Sequence, residues 1–83
     1  MKQYVIVILD RGFIYVGLLD SGTGNVNTLS NAKNIRRWGT TKGLGELVLN
    51  GPTKNTILDD CGTIIIPEKS IVSIHPTNPY LWK

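Results

Sequence analysis

Eighty-three residues with one cysteine and one histidine exclude an intramolecular disulfide and a closed zinc site, two usual supports of so short a chain. A net charge of +3 and a pI near 9.3 fall well short of a histone-like tail, so nucleic-acid binding over the whole surface is not implied. The longest N-terminal apolar run, Tyr4–Leu9, is far too short to span a bilayer, and no signal-peptide cleavage pattern follows it. The expectation is one cytoplasmic domain over residues 1–83. A domain of this size buries only about 60–65% of the surface its unfolded chain exposes, so homo-oligomerisation is the support that remains.

In chain order, Lys2–Leu9 is short and β-branched and predicts a strand. Asp10-Arg11-Gly12 is a turn signal, and Phe13–Asp20 returns as a second strand. On that strand Phe13, Tyr15, Gly17 and Leu19 share one face, and Ile14, Val16 and Leu18 the other. Both faces are apolar, which a small closed barrel touching another chain would explain. Gly17 in mid-strand marks a bulge or a close backbone approach. Ser21–Gly24 reads as a turn, Asn25–Ser30 as a short edge strand, and Lys33–Trp38 as a further strand.

From Thr41 the period changes. Leu44, Leu47 and Val48 fall on one helical face, with Thr40 or Thr41 as N-cap and Asn50-Gly51-Pro52 as the stop. Thr56–Leu58 predicts a strand, Asp59-Asp60-Cys61-Gly62 a turn, and Thr63–Ile66 and Ile71–Ile74 two more strands. His75–Pro79, with two prolines, reads as an extended tail, and Tyr80, Leu81 and Trp82 at its end read as a dock for a neighbouring subunit. The fold class is therefore mainly β (α+β), a small antiparallel β-barrel or sheet with one short helix, homo-oligomeric.

Catalytic chemistry finds no carrier. The only histidine, His75, stands before a proline in the expected tail, and Asp59-Asp60 are adjacent carboxylates of a kind common on solvated turns. GTTKGLG (residues 39–45) lacks the Lys-Ser/Thr pair of a phosphate loop, since Lys42 is followed by Gly43 and Leu44. No enzyme, metal or cofactor is expected.

The segment from Asn31 to Gly51 holds four of the nine basic residues, Lys33, Arg36, Arg37 and Lys42, and one of two tryptophans. No acidic residue lies between Asp20 and Glu46. An indole can stack on a base, and guanidinium groups bind phosphates through two hydrogen bonds. Arg36, Arg37, Trp38 and Lys42 thus form a candidate site for something anionic and planar. Equally, Trp38 in the core with solvated arginines would fit the same residue types. Arg11 in the first turn and Tyr15 on the second strand are secondary candidates.

At these residues the chain resembles a family of small phage-encoded proteins, the anti-CBASS cyclic-nucleotide sponges. The resemblance rests on Tyr4–Ile8, Tyr15-Val16-Gly17, Asn31-Ala32-Lys33-Asn34-Ile35, Trp38, Leu44 with Leu47, Gly51, and Ser73-Ile74-His75-Pro76-Thr77. It implies a protein that binds the cGAMP-like cyclic dinucleotide signal of bacterial CBASS defence without hydrolysing it, in the cytoplasm of an infected host. It further implies a tetramer holding ligand between subunits, with Trp38 at the family's aromatic position. Gly39, Thr40, Thr41 and Lys42 then form the ligand-binding turn. Two departures stand out: Arg36 occupies the place of the first aromatic, and Thr40-Thr41 replace small apolar residues. The alternative expectation is a small β-barrel interaction protein that inhibits a host protein or binds nucleic acid.

Overall fold

The computed structural model describes residues 2–22 and 26–82. Part of the expected Ser21–Gly24 turn, and Asn25 at the start of the next expected strand, lie outside the described residues. The elements are β1 (Lys2–Leu9), β2 (Ile14–Ser21), β3 (Val26–Arg37), α1 (Leu44–Asn50), β4 (Ile57–Pro67) and β5 (Ile71–Pro76). All strand pairs are antiparallel, and the sheet order is β4-β3-β2-β1-β5. The β1–β2 turn works as its composition suggests: Arg11 and Gly12 take φ of 63° and 82°, and the Leu9 N–H donates to the Phe13 carbonyl at 2.8 Å.

Two expectations about strands are corrected. The segments read as separate strands at Asn25–Ser30 and Lys33–Trp38 belong, in their described part, to one strand, β3, which ends at Arg37 and lies between β2 and β4 rather than at an edge. Asp59–Gly62 is not a turn but the middle of β4. Its turn chemistry is absorbed as an irregularity: Gly62 takes φ of 71° opposite Ala32, where the β3–β4 register slips.

Three irregularities line up across the sheet. Gly17 sits at a register slip on β2, Asn31 (φ 51°) and Ala32 at slips on β3, and Gly62 on β4. A side chain at Gly17 would lie 2.8 Å from the Ser30 carbonyl oxygen and 2.9 Å from Leu29 Cγ, so the backbones can approach only without one. Bulges bend a strand and increase its twist, and a row of them coils the sheet. Val5 and Val7 of β1 consequently share a buried cluster with Leu19, Leu29, Ala32 and Ile66, although β4 stands three strands away.

The coil also explains the β4–β5 connection. A flat five-stranded sheet would separate its edges by about 19 Å. The four steps from Pro67 to Ile71, through a 3₁₀ turn at Glu68–Ser70, reach at most about 14 Å. The sheet stays open all the same, because β4 and β5 do not pair and form its two edges. The apolar faces of β2 are covered within the chain, one by this coil and the other by helix and C-terminus.

That second face holds Ile6, Ile14, Val16 and Ile35 under Leu47 of α1 and Trp82. Leu44 and Val48 flank Leu47 as the helical spacing predicts. The N-cap is Gly43, at φ 78°, and not Thr40 or Thr41. Gly43 turns the chain into the helix and leaves the threonines upstream. There the Thr40 hydroxyl donates to the Gly43 carbonyl, while the Thr41 hydroxyl and Lys42 N–H donate to the Glu46 carboxylate. Gly51 ends the helix as expected, at φ 77°, its N–H donating to the Leu47 carbonyl at 2.9 Å.

The C-terminal segment is a second correction of consequence. His75 and Pro76 belong to β5, and Pro79–Trp82 forms a 3₁₀ turn. Trp82 is 3% exposed and lies in its own chain's core, its indole N–H donating to Thr77 Oγ1 at 3.2 Å. The Thr77 hydroxyl donates to the Val48 carbonyl at 2.6 Å, and its N–H to the Tyr4 carbonyl at 3.0 Å. Trp82 is thus not an intersubunit anchor, because these bonds fold it back onto α1 and β1.

Candidate functional site

The candidate residues sit where β3 runs into the loop before α1. Arg37 pairs with Ile57 and Ile35 with Leu58, and the register slips between them. The next two backbone carbonyls are pinned. Trp38 accepts from the Thr56 hydroxyl at 2.6 Å, and Gly39 from the Thr53 hydroxyl at 2.7 Å. The Thr53 N–H donates to Thr56 Oγ1 at 2.8 Å, which ties the 53–56 loop to itself. At Gly39, φ is 64° and a Cβ would fall 2.3 Å from the Asn55 backbone carbon. Only glycine fits there. Gly39 thus has a structural task independent of any ligand.

On this fixed stem the side chains take different roles. Trp38 is 38% exposed and belongs to neither apolar cluster. Its Cζ3 lies 3.9 Å from the place a Cβ on Gly43 would take, so a residue without a side chain stands beside the indole. Arg36 is held by Asp59, Nε to Oδ2 at 2.9 Å and Nη2 to Oδ1 at 3.4 Å. Arg37 and Lys42 are exposed and make no ion pair among the described residues. Lys42 also borders a shallow depression of about 400 Å³ on α1, lined by Gly45, Glu46, Leu49 and Asn50.

The structure therefore brings Arg36, Arg37, Trp38, Gly39, Thr40, Thr41 and Lys42 into one continuous surface segment. Tyr15 is half-buried against the Val5–Val7 cluster and pairs with Asn34, which in turn pairs with Asp59. It adjoins the segment through that cross-strand row. Arg11 is exposed in the β1–β2 turn, which the Tyr15–Asn34 register puts at the same end of the sheet as the C-terminus of β3. Asp59 is the partner of Arg36 that sequence reading missed. Its role depends on the β3–β4 register, and its local context of Asp-Asp-Cys-Gly signals a turn instead.

Two further features bear on chemistry. Ser73 Oγ and His75 Nε2 are 2.9 Å apart on β5. They are two residues apart on one strand face, and no carboxylate bonds to either among the described residues. No group of three or more His, Cys, Asp or Glu side chains that could hold a metal occurs among the described residues. No helix among them is long and apolar enough to cross a membrane. Comparison of the chain with known protein families, with curated proteins and with solved structures finds no match.

Proposed function

We propose that this chain is a non-enzymatic binding protein that sequesters a cyclic oligonucleotide, with Trp38 stacking on a base and Arg37 and Lys42 meeting phosphates. The observation that carries the reading is the placement of Trp38: outside both apolar clusters, on a backbone pinned at residues 38 and 39, between two unpaired cations. Base–aromatic stacking contributes about 1–3 kcal/mol per base. A guanidinium makes charge-assisted, two-pronged contacts with phosphate. A platform already fixed by the Thr53 and Thr56 hydroxyls loses less entropy on binding than a mobile one. The Thr40 and Thr41 hydroxyls, whose protons go to Gly43 and Glu46, keep lone pairs that can accept from a base edge.

In this reading the ligand is a cGAMP-like cyclic dinucleotide and the setting is the cytoplasm of a phage-infected bacterium, as the resemblance implies. The protein acts as a homo-oligomer, a tetramer on the same ground, with ligand between barrel-like protomers. A two-fold interface would match the pseudo-two-fold symmetry of such a ligand. Calorimetry of the purified protein against a panel of cyclic di- and trinucleotides tests it, with bound ligand recovered after denaturation. Tight binding with intact recovery supports a sponge; no binding to any member of the panel removes the reading.

A second reading has its own observation. Leu49 on α1 and Tyr80 near the C-terminus are each 76% exposed, and an exposed apolar patch, where such side chains are contiguous, serves protein partners. An inhibitor of a host protein would be recovered in a stoichiometric complex with no nucleotide retained.

A further inference from the structure

We propose that the outer edge of β4 is an interface through which two copies of this chain join by antiparallel strand pairing. The proposal deepens the homo-oligomeric part of the reading above and stands whether or not a nucleotide binds.

β4 is an eleven-residue edge strand, and its ladder partner is β3 alone. Among the described residues, no backbone hydrogen bond joins Ile57–Pro67 to any turn or loop. Apart from the Asp59 carbonyl, which accepts from the Cys61 thiol at 3.4 Å, one side of the strand therefore presents a row of N–H and C=O groups outside the ladder. Natural edges are blunted with charged side chains, proline, short length or a covering element. From Cys61 to Ile66, β4 has none of these, and its one protective irregularity is the slip at Gly62: the run is Cys-Gly-Thr-Ile-Ile-Ile, with Ile65 70% exposed. The other edge differs. β5 has only six residues and ends in Pro76.

The partner is a second copy because this strand complements itself. In an antiparallel pair about a two-fold axis, the uncharged 61–66 run lies against its own image and opposes no like charges. With Thr63 on Thr63, Asp59 and Asp60 of each copy face Pro67 and Ile66 of the other, so no like charges oppose one another across the pair. Outward backbone groups alternate along a strand, so residues of the same parity must oppose one another, as in Thr63 on Thr63. With Thr63 at the axis, nine residues of each copy, 59–67, overlap over about 31 Å. A flank as deep as the molecule's shortest extent, 20 Å, then offers on the order of 600 Å² per partner, the low end of a specific interface at about 1,200 Å² in total.

The test is sedimentation equilibrium of the full chain in reducing buffer, which removes any Cys61 cross-link, beside Ile65→Lys, Thr63→Lys and Val72→Lys. All three positions are exposed, and circular dichroism checks that each variant folds. The wild type is expected to self-associate. Both β4 variants should fall to the monomer, or from a tetramer to the dimer, while Val72→Lys on β5 leaves the assembly intact. Amide exchange should show outward N–H groups within Thr63–Ile66 protected in the wild type and exposed in folded Ile65→Lys. A monomeric wild type overturns the proposal. So does dissociation by Val72→Lys with retention by the β4 variants. Nucleotide binding is measured separately, so failure of the interface and failure of the sponge reading are told apart.

Discussion

Arg36 and Asp59, 23 residues apart in sequence, meet across β3 and β4 through two contacts, at 2.9 and 3.4 Å. Both side chains are largely in water, so the pair contributes only about 0–1 kcal/mol to stability. Its larger effect is on the candidate segment, where Asp59 offsets the charge of Arg36, two residues before Trp38. Asp59→Asn is therefore expected to raise affinity for a cyclic dinucleotide several-fold and to steepen its salt dependence. The melting temperature should barely move. Titrations at two salt concentrations check both; unchanged or weaker binding would show that Arg36 acts only through its tie to Asp59.

Trp38→Ala separates platform from core. The indole lies outside both clusters but is only 38% exposed, so its loss should cost about 1–2 kcal/mol and leave the fold intact. Ligand affinity should fall by about 1–3 kcal/mol, the worth of one stacked base. Unfolding of the variant in a thermal melt would assign the ring to packing.

Trp82→Ala should behave in the opposite way. The side chain is 3% exposed and closes the bond chain from its indole to Thr77 and on to Val48. Truncating a buried tryptophan costs about 3–5 kcal/mol, a large part of the 5–15 kcal/mol typical of a domain. Denaturant titration should show a much lower midpoint. Leu49→Ala, at an exposed position on the adjoining helix, should remain within about 0.5 kcal/mol.

Gly39→Ala tests the stem that carries Trp38. A methyl group there meets the Asn55 backbone and the residue must hold φ of 64°, so destabilisation by more than about 1 kcal/mol is expected. The Thr53–Gly39 and Thr56–Trp38 bonds should loosen together. Faster amide exchange across residues 53–56 is the readout; wild-type exchange there would refute the pinned geometry.

Tyr4 gives the fold an alkaline limit. Burial raises its phenol above the ordinary 10.0. In the unfolded chain the proton leaves first, so the folded state binds more protons once the pH exceeds 10.0. The stabilisation is complete below that value and is lost as pH climbs through the folded pKa. Stability of the wild type should fall over this range more steeply than that of Tyr4→Phe, as read by denaturant midpoints against pH.

The β-branched run at Val5–Ile8, the turn at Asp10–Gly12, the Leu44–Leu47–Val48 face and the Gly51 stop are all legible in sequence. Each depends on propensities and steric rules acting over a few neighbouring residues. The basic-aromatic segment is legible for the same reason: Arg36, Arg37, Trp38 and Lys42 are near one another along the chain.

What the tertiary structure alone decides is the fate of residues whose partners are distant. Asp59-Asp60-Cys61-Gly62 has the composition of a turn, yet pairing with β3 holds it extended and places Asp59 on Arg36. Gly17 is marked in the sequence as a bulge or close approach, whereas Asn31 and Gly62 are unremarkable there, and the three coil the sheet only because register sets them in a row. The two tryptophans are alike to local rules. One is left at the surface because its backbone is pinned outside the core, and the other is drawn in because Thr77 fastens the C-terminal segment to Tyr4 and Val48. Propensity is local, whereas burial and charge pairing are set by long-range register.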